Sequence, residues 1–225
     1  MVTAAPPPAS ATAPAVPAVP DANGAANNGH TGPLPLLPPD RRRLGGAFDV
    51  SIGTGLPSLE LETDASIVRA TADGVRLDLG GIGKGYACER AAEILATAGP
   101  CLVNAGGDIA TRAGTWTVSV ETASEPLTLE LSGSNALATS GRDLRRWRRG
   151  GREVHHLIDP ATGLPSMSDL LRVTAVAHDA IDAEVTAKDL FLVGADSARE
   201  EADHRGVPAL LVTRDGRTIL AGGLA

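Results

Sequence analysis

Between Cys101 and Gly141 the sequence passes through four strand-like segments with no helical stretch among them, and this run limits the possible folds most. CLVN (101–104) reads as a short buried strand closed by AGGD. TWTVSVE (115–121) and LTLELS (127–132) alternate in polarity, which predicts half-buried strands paired as a hairpin across ASEP. NALATSG (135–141) follows as a strand with a polar end. GVRLDL (74–79), VHHLI (154–158) and LLRVTAVAH (170–178) also read as strands, and PALLVTRDGRTILAGG as two more around an Asp-Gly turn. Apolar residues recur at helical spacing in KGYACERAAEILATAG, which Gly99 stops, in DAIDAEVTAKDLFLVGA (179–195) and in DSAREEADHRG. GRDLRRWRRGGRE reads as a basic, glycine-containing loop. Strands in consecutive runs with three helices between them predict an α+β fold, not a doubly wound parallel sheet.

The core must be built from small aliphatic contacts, because 43% of the 225 residues are hydrophobic but only 2% are aromatic. A formal net charge of −7 argues against a general nucleic-acid binder. Cys88 and Cys101 are too far apart for a CxxC metal or redox motif, and they read as buried free thiols. Residues 1–40, rich in Ala and Pro and almost without charge, read as a disordered tail, with one domain from residue 41 to 225. The N-terminus has no basic stretch followed by a continuous apolar one, and no segment reaches the ~20 apolar residues of a membrane span. The expected compartment is therefore the cytoplasm.

Four stretches carry candidate chemistry. LDLGGIGKGYA joins a strand to a helix through glycines, which lets backbone N–H groups approach an anion. It is neither a Walker A loop, since Gly85 follows Lys84, nor a Rossmann fingerprint. LVNAGGDIA brings glycines and Asp108 to a strand end, and ALATSGRD offers a Thr–Ser pair without the G-x-S-x-G setting of a hydrolase nucleophile. HHLIDPATGLP (155–165) offers His156 as a general base, with Asp159 three residues on to orient it. Each stretch taken alone also fits an ordinary turn.

Taken together and in order, FDVSIG (48–53), LDLGGIGKGYA, LVNAGGDI, ATSG, HHLIDPATGLP and a helix ending LFLVG resemble the ApbE family from about Arg43 onward. The resemblance implies a T-fold-like α+β domain with mixed or antiparallel sheets around a flavin cleft. It implies binding of FAD and a divalent metal, usually Mg²⁺, and transfer of FMN to a Ser or Thr hydroxyl of an acceptor flavoprotein with release of AMP. Carried over by motif, Ala47, Phe48, Asp49, Asp78 and Lys84 contact FAD, and Gly106, Gly107 and Asp108 line the cleft. His156 becomes the base, with Leu157 and Ile158 beside it, and Gly81 offers its backbone to the metal.

Two departures accompany the resemblance. Family chains carry D-x-x-x-T before LFxxG as metal ligands, whereas here Glu184 and Lys188 hold those positions. Glu can bind Mg²⁺ but a charged Lys cannot, so Lys188 reads either as a replacement for much of the ion's charge or as the partner of Glu184 in an i, i+4 pair on a solvated helix face. A shifted register, Asp182 with Thr186, keeps the pattern but misplaces it relative to LFLVG. The M-G-T and Ser-x-x-N segments of the family, which enclose the adenine side, are not found, which predicts a shortened member. The rival readings are a non-catalytic FAD-binding carrier and an inactive truncated homologue.

Overall fold

The structure, a computed structural model, describes residues 3–4, 59–62, 67–71 and 79–224. The proposed FAD contacts Ala47, Phe48, Asp49 and Asp78, the strand read at 74–79 except its last residue, and the 1–40 tail except residues 3–4 lie outside them.

The first strands are short: β1 (Thr3–Ala4), β2 (Leu59–Glu62) and β3 (Ile67–Ala70). A single 3-10 turn (Leu79–Gly81) leads into α1 (Gly83–Ala96). Next come β4 (Cys101–Asn104), β5 (Ile109–Arg112), β6 (Thr115–Val120), β7 (Leu127–Ser132) and β8 (Ala136–Gly141). β9 (Arg146–Arg149), β10 (Arg152–His155), β11 (Ile158–Asp159), β12 (Leu164–Pro165) and β13 (Leu170–Ala177) follow. α2 (Ala180–Val193), α3 (Ala195–Arg205), β14 (Ala209–Thr213) and β15 (Thr218–Ala221) complete the chain. Every pairing among the described strands is antiparallel.

The central sheet has the order β15-β14-β13-β8-β5-β4, and successive residues of its strands serve opposite faces. Leu137, Val176, Leu210 and Val212 point to one face, where Val118, Val120, Leu129 and Leu131 of the β6–β7 ribbon cover them. Val173, Ala175, Ala209 and Leu211 point to the other, against Ala187, Leu190 and Phe191 of α2 and the alanines of α3. Between α1, α2 and the sheet the filling is almost entirely small: Cys88, Ala92, Ala110, Ala136, Ala138, Ala180 and Ala183. Small residues let backbones approach closely, which is how a chain with 2% aromatic residues still closes its core. Gly85 is the extreme case: a Cβ there would lie 2.5 Å from the Ala180 carbonyl oxygen. The α1 contact face, Gly85, Cys88, Glu89 and Ala92, has the spacing of one helical stripe.

Buried charge is paired where α1 meets α2. Glu89 accepts the Ala180 N–H at the start of α2, 3.0 Å away, and pairs with Arg112. Asp179 caps the same helix by accepting from the Asp182 N–H at 2.7 Å. No helix among the described residues is long and apolar enough to cross a membrane.

Two local expectations change. The basic segment before the histidines is a hairpin, with Trp147 opposite Val154 and Arg146 opposite His155. Gly150 and Gly151 turn it at φ 58° and 78°, the left-handed pair that matches strand twist. Six arginines between 142 and 152 mask its alternation in the sequence. The strand read at 154–158 ends at His155 and resumes as the two-residue β11.

Candidate active-site cleft

The chemistry-bearing stretches converge because one end of the β5–β8–β13 sheet meets the starts of α1 and α2. Gly80 and Lys84 come from the turn into α1, Gly106 and Gly107 from the β4–β5 loop, and Thr139, Ser140 and Gly141 from β8. Leu144, Arg145 and His156 come from the base of the arginine hairpin, and Glu184 and Lys188 from α2. Together with Arg172 and its partners they line a cleft of about 820 Å³, its open mouth included.

Its floor is a four-charge cluster. Lys84 Nζ lies 2.5 Å from Asp108 Oδ2 and 3.3 Å from Glu184 Oε1. Lys188, one helical turn beyond Glu184, lies 3.0 Å from the same Oε1. Glu184 Oε2 accepts the Gly85 N–H at 2.8 Å, so the glycine that permits helix contact also delivers its amide to the carboxylate. Both carboxylate side chains are 1% exposed, while Lys84 is 37% and Lys188 11% exposed. The cleft therefore meets ammonium groups, with the carboxylates held behind them. Burial works against the Lys84 ammonium, but Asp108 and Glu184 outweigh it and raise the pKa. For Lys188 burial dominates and lowers the pKa, opposed in part by Glu184.

The two histidines divide their work. His155 is buried, donates from Nε2 to the Ser166 carbonyl at 2.9 Å and accepts the Leu157 N–H at Nδ1, with its ring edge-on to Phe191. Both nitrogens are committed, and the ring is a structural neutral imidazole. His156 turns the other way and lines the cleft. Partial desolvation at the cleft lowers its pKa, a backbone hydrogen bond at Arg145 works the other way, and the Arg145 charge lowers it again. A neutral imidazole at pH 7 can accept a proton.

Asp159 does not orient His156. Its Oδ1 accepts the Ala161 N–H at 2.8 Å and its carbonyl the Gly163 N–H at 2.8 Å, so it orders the DPATG turn. Leu157 packs in the core with Leu170 and Phe191, and Ile158 is exposed outside the cleft lining. At the turn into α1 the lining residue is Gly80, not Gly81. Of the two registers on α2, Glu184 and Lys188 face the cleft, whereas Thr186 is buried away from it and Asp182 stands at the helix start.

Several wall residues have no local sequence signal. Arg172 pairs with Glu121 and Asp143, partners 51 and 29 residues away. Thr139 and Thr174 share a hydroxyl–hydroxyl hydrogen bond at 2.8 Å. Cys88 lies behind the floor, its Sγ 3.3 Å from the Asp108 carbonyl, and burial pushes its thiol up to about 11.

The donor set does not fit Mg²⁺, which demands about six oxygens in octahedral array. No group of three or more His, Cys, Asp or Glu is disposed to hold a metal among the described residues. At Glu184, one oxygen takes an amide N–H and the other faces two ammonium groups.

Comparison with known proteins places this architecture. Residues 39–211 match the ApbE family. The chain is 30% identical over 159 residues to FAD:protein FMN transferase of Klebsiella pneumoniae, covering 66% of this chain and 49% of that protein. The chain thus spans about half the length of the curated relatives it matches. The ApbE protein of Thermotoga maritima superposes with a TM-score of 0.66 at 28% identity, covering 83% of this chain and 63% of that one. The Pseudomonas stutzeri flavinyl transferase ApbE shares the fold, with a TM-score of 0.65 at 24% identity over 74% of this chain and 55% of its own. With the family matched across most of its length and the fold shared, the chain belongs to the ApbE family.

Proposed function

We propose that the chain transfers the FMN half of FAD to a Ser or Thr hydroxyl of an acceptor protein and releases AMP. The observation that carries this reading is the convergence of Lys84, Lys188 and His156 on one open cleft. Relatives named for this transfer support it.

In this reading the FAD pyrophosphate lies against the two ammonium groups, and glycines 80, 106 and 107 let its oxygens come near the backbone. The acceptor hydroxyl enters from the open side. His156 takes its proton as the oxygen attacks the FMN phosphorus. An O–P bond forms to the acceptor, the bridging P–O bond breaks, and AMP leaves with the electron pair. Positioning and charge neutralisation supply the catalysis, as in other phosphoryl transfers.

The test is covalent flavin fluorescence on a denaturing gel after the chain, FAD and a lysate containing candidate acceptors are incubated together. Transfer with FAD, none with FMN, and none with His156→Ala support the reading. FAD binding without transfer to any acceptor identifies the carrier instead.

A further inference from the structure

We propose that Lys84 and Lys188 hold the dinucleotide's pyrophosphate directly, so that FAD binding in this cleft requires no divalent cation. The inference rests on FAD being the ligand and deepens that reading.

The geometry of the floor carries it. Both ammonium groups converge on Glu184 Oε1, at 3.3 Å and 3.0 Å, from two different helices. Asp108 fixes Lys84 from a third direction, across 2.5 Å. The carboxylate side chains are 1% exposed, against 37% for Lys84 and 11% for Lys188, and both lysines line the cleft, so an incoming ligand meets lysine side chains before carboxylate. A cation entering the cleft would have to displace one lysine or the other to reach a carboxylate oxygen. An ammonium has three donors, and Lys84 directs two of them to Asp108 and Glu184. Gly106 and Gly107, at φ 71° and 105°, face open space where side chains would otherwise crowd the anion.

Lys188 is the decisive residue because its placement follows from α2 itself. One turn after Glu184, its Nζ returns to the Glu184 carboxylate and also donates to the Glu184 carbonyl at 3.3 Å. Those two contacts hold the charge at the cleft floor without a ligand, which removes part of the ordering cost of binding.

Calorimetric titration of the whole chain with FAD, and separately with inorganic pyrophosphate, tests this in EDTA and in millimolar Mg²⁺. The expected result is binding of both in EDTA, with Mg²⁺ changing the FAD Kd by less than about threefold. Lys188→Thr should weaken both in EDTA by about tenfold or more, and Lys188→Arg should restore most of the affinity. FAD binding that needs Mg²⁺ and is abolished by EDTA overturns the inference while leaving the flavin reading intact. Pyrophosphate binding in EDTA without FAD binding supports the lysine site and overturns the flavin reading. Binding of neither ligand in either buffer overturns both. If Lys188→Thr does not fold, the metal dependence of the unaltered chain still decides.

Discussion

Replacing Gly85 by alanine should loosen the contact on which both the helix pair and the cleft floor depend. The added methyl would lie 2.5 Å from the Ala180 carbonyl oxygen, 2.9 Å from its carbon and 3.0 Å from Glu184 Oε2. Two of these obstacles are backbone of a buried helix, which cannot rotate aside as a side chain can. Overpacking of this kind costs about 1–3 kcal/mol, and a rigid obstacle argues for the upper end. Alanine's better helix propensity returns at most about 1 kcal/mol. The net loss is therefore about 2 kcal/mol, a fall in Tm of roughly 4–8 °C for a domain of this size. Gly83, two residues earlier, has nothing within 4 Å of its would-be Cβ and serves as the control. Thermal unfolding followed by circular dichroism should show Gly83→Ala equal to or slightly more stable than the parent, and Gly85→Ala clearly less stable. Equal stability of Gly85→Ala and the parent would refute the close-packing argument.

The histidines should separate in both assay and pH. His156→Ala should abolish transfer while leaving FAD affinity and Tm nearly unchanged, whereas His155→Ala should lower Tm, since it strands the Ser166 carbonyl and the Leu157 N–H at about 1–3 kcal/mol. The transfer rate should rise with pH through the lowered pKa of His156 and then level off, because the base must be neutral. For His155, burial chiefly lowers the folded-state pKa, so the unfolded chain binds more protons below its ordinary pKa of about 6.5. Chemical denaturation should accordingly show stability flat above that pH and falling below it. Cys88 should resist a thiol reagent in the native protein and react only on unfolding, as expected of a buried thiol whose pKa stands at about 11.

Much of this architecture was legible because it follows from local periodicity. The β6–β7 hairpin, β8, β13 and all three helices fall where alternation or helical spacing predicts them. The division of labour at 155–158 was also readable in principle. Alternation puts His155 and Leu157 on one face and His156 and Ile158 on the other, and the inward pair is the buried one. The resemblance placed Leu157 beside the base, and its apolar side chain serves the core. The arginine hairpin was missed because charge hides strand pairing, and its Gly-Gly turn was the available signal. Asp159 was misread since proximity in sequence favours the nearest turn amide over a neighbouring ring. The Arg172 wall and the role of Gly85 depend on partners 29 to 99 residues away, which no local pattern contains. The β6–β7 and β14–β15 hairpins were legible from their turns, whereas the pairing of β13 with β8 joins strands that no single turn connects.

The most direct test of the account is a crystal structure of the chain with FAD bound. The account predicts the pyrophosphate between Lys84 and Lys188, with oxygens about 3 Å from each Nζ and the FMN phosphorus on the side facing His156. A dinucleotide bound outside the cleft would contradict it, as would FAD in the cleft with its phosphates turned away from both lysines and from His156.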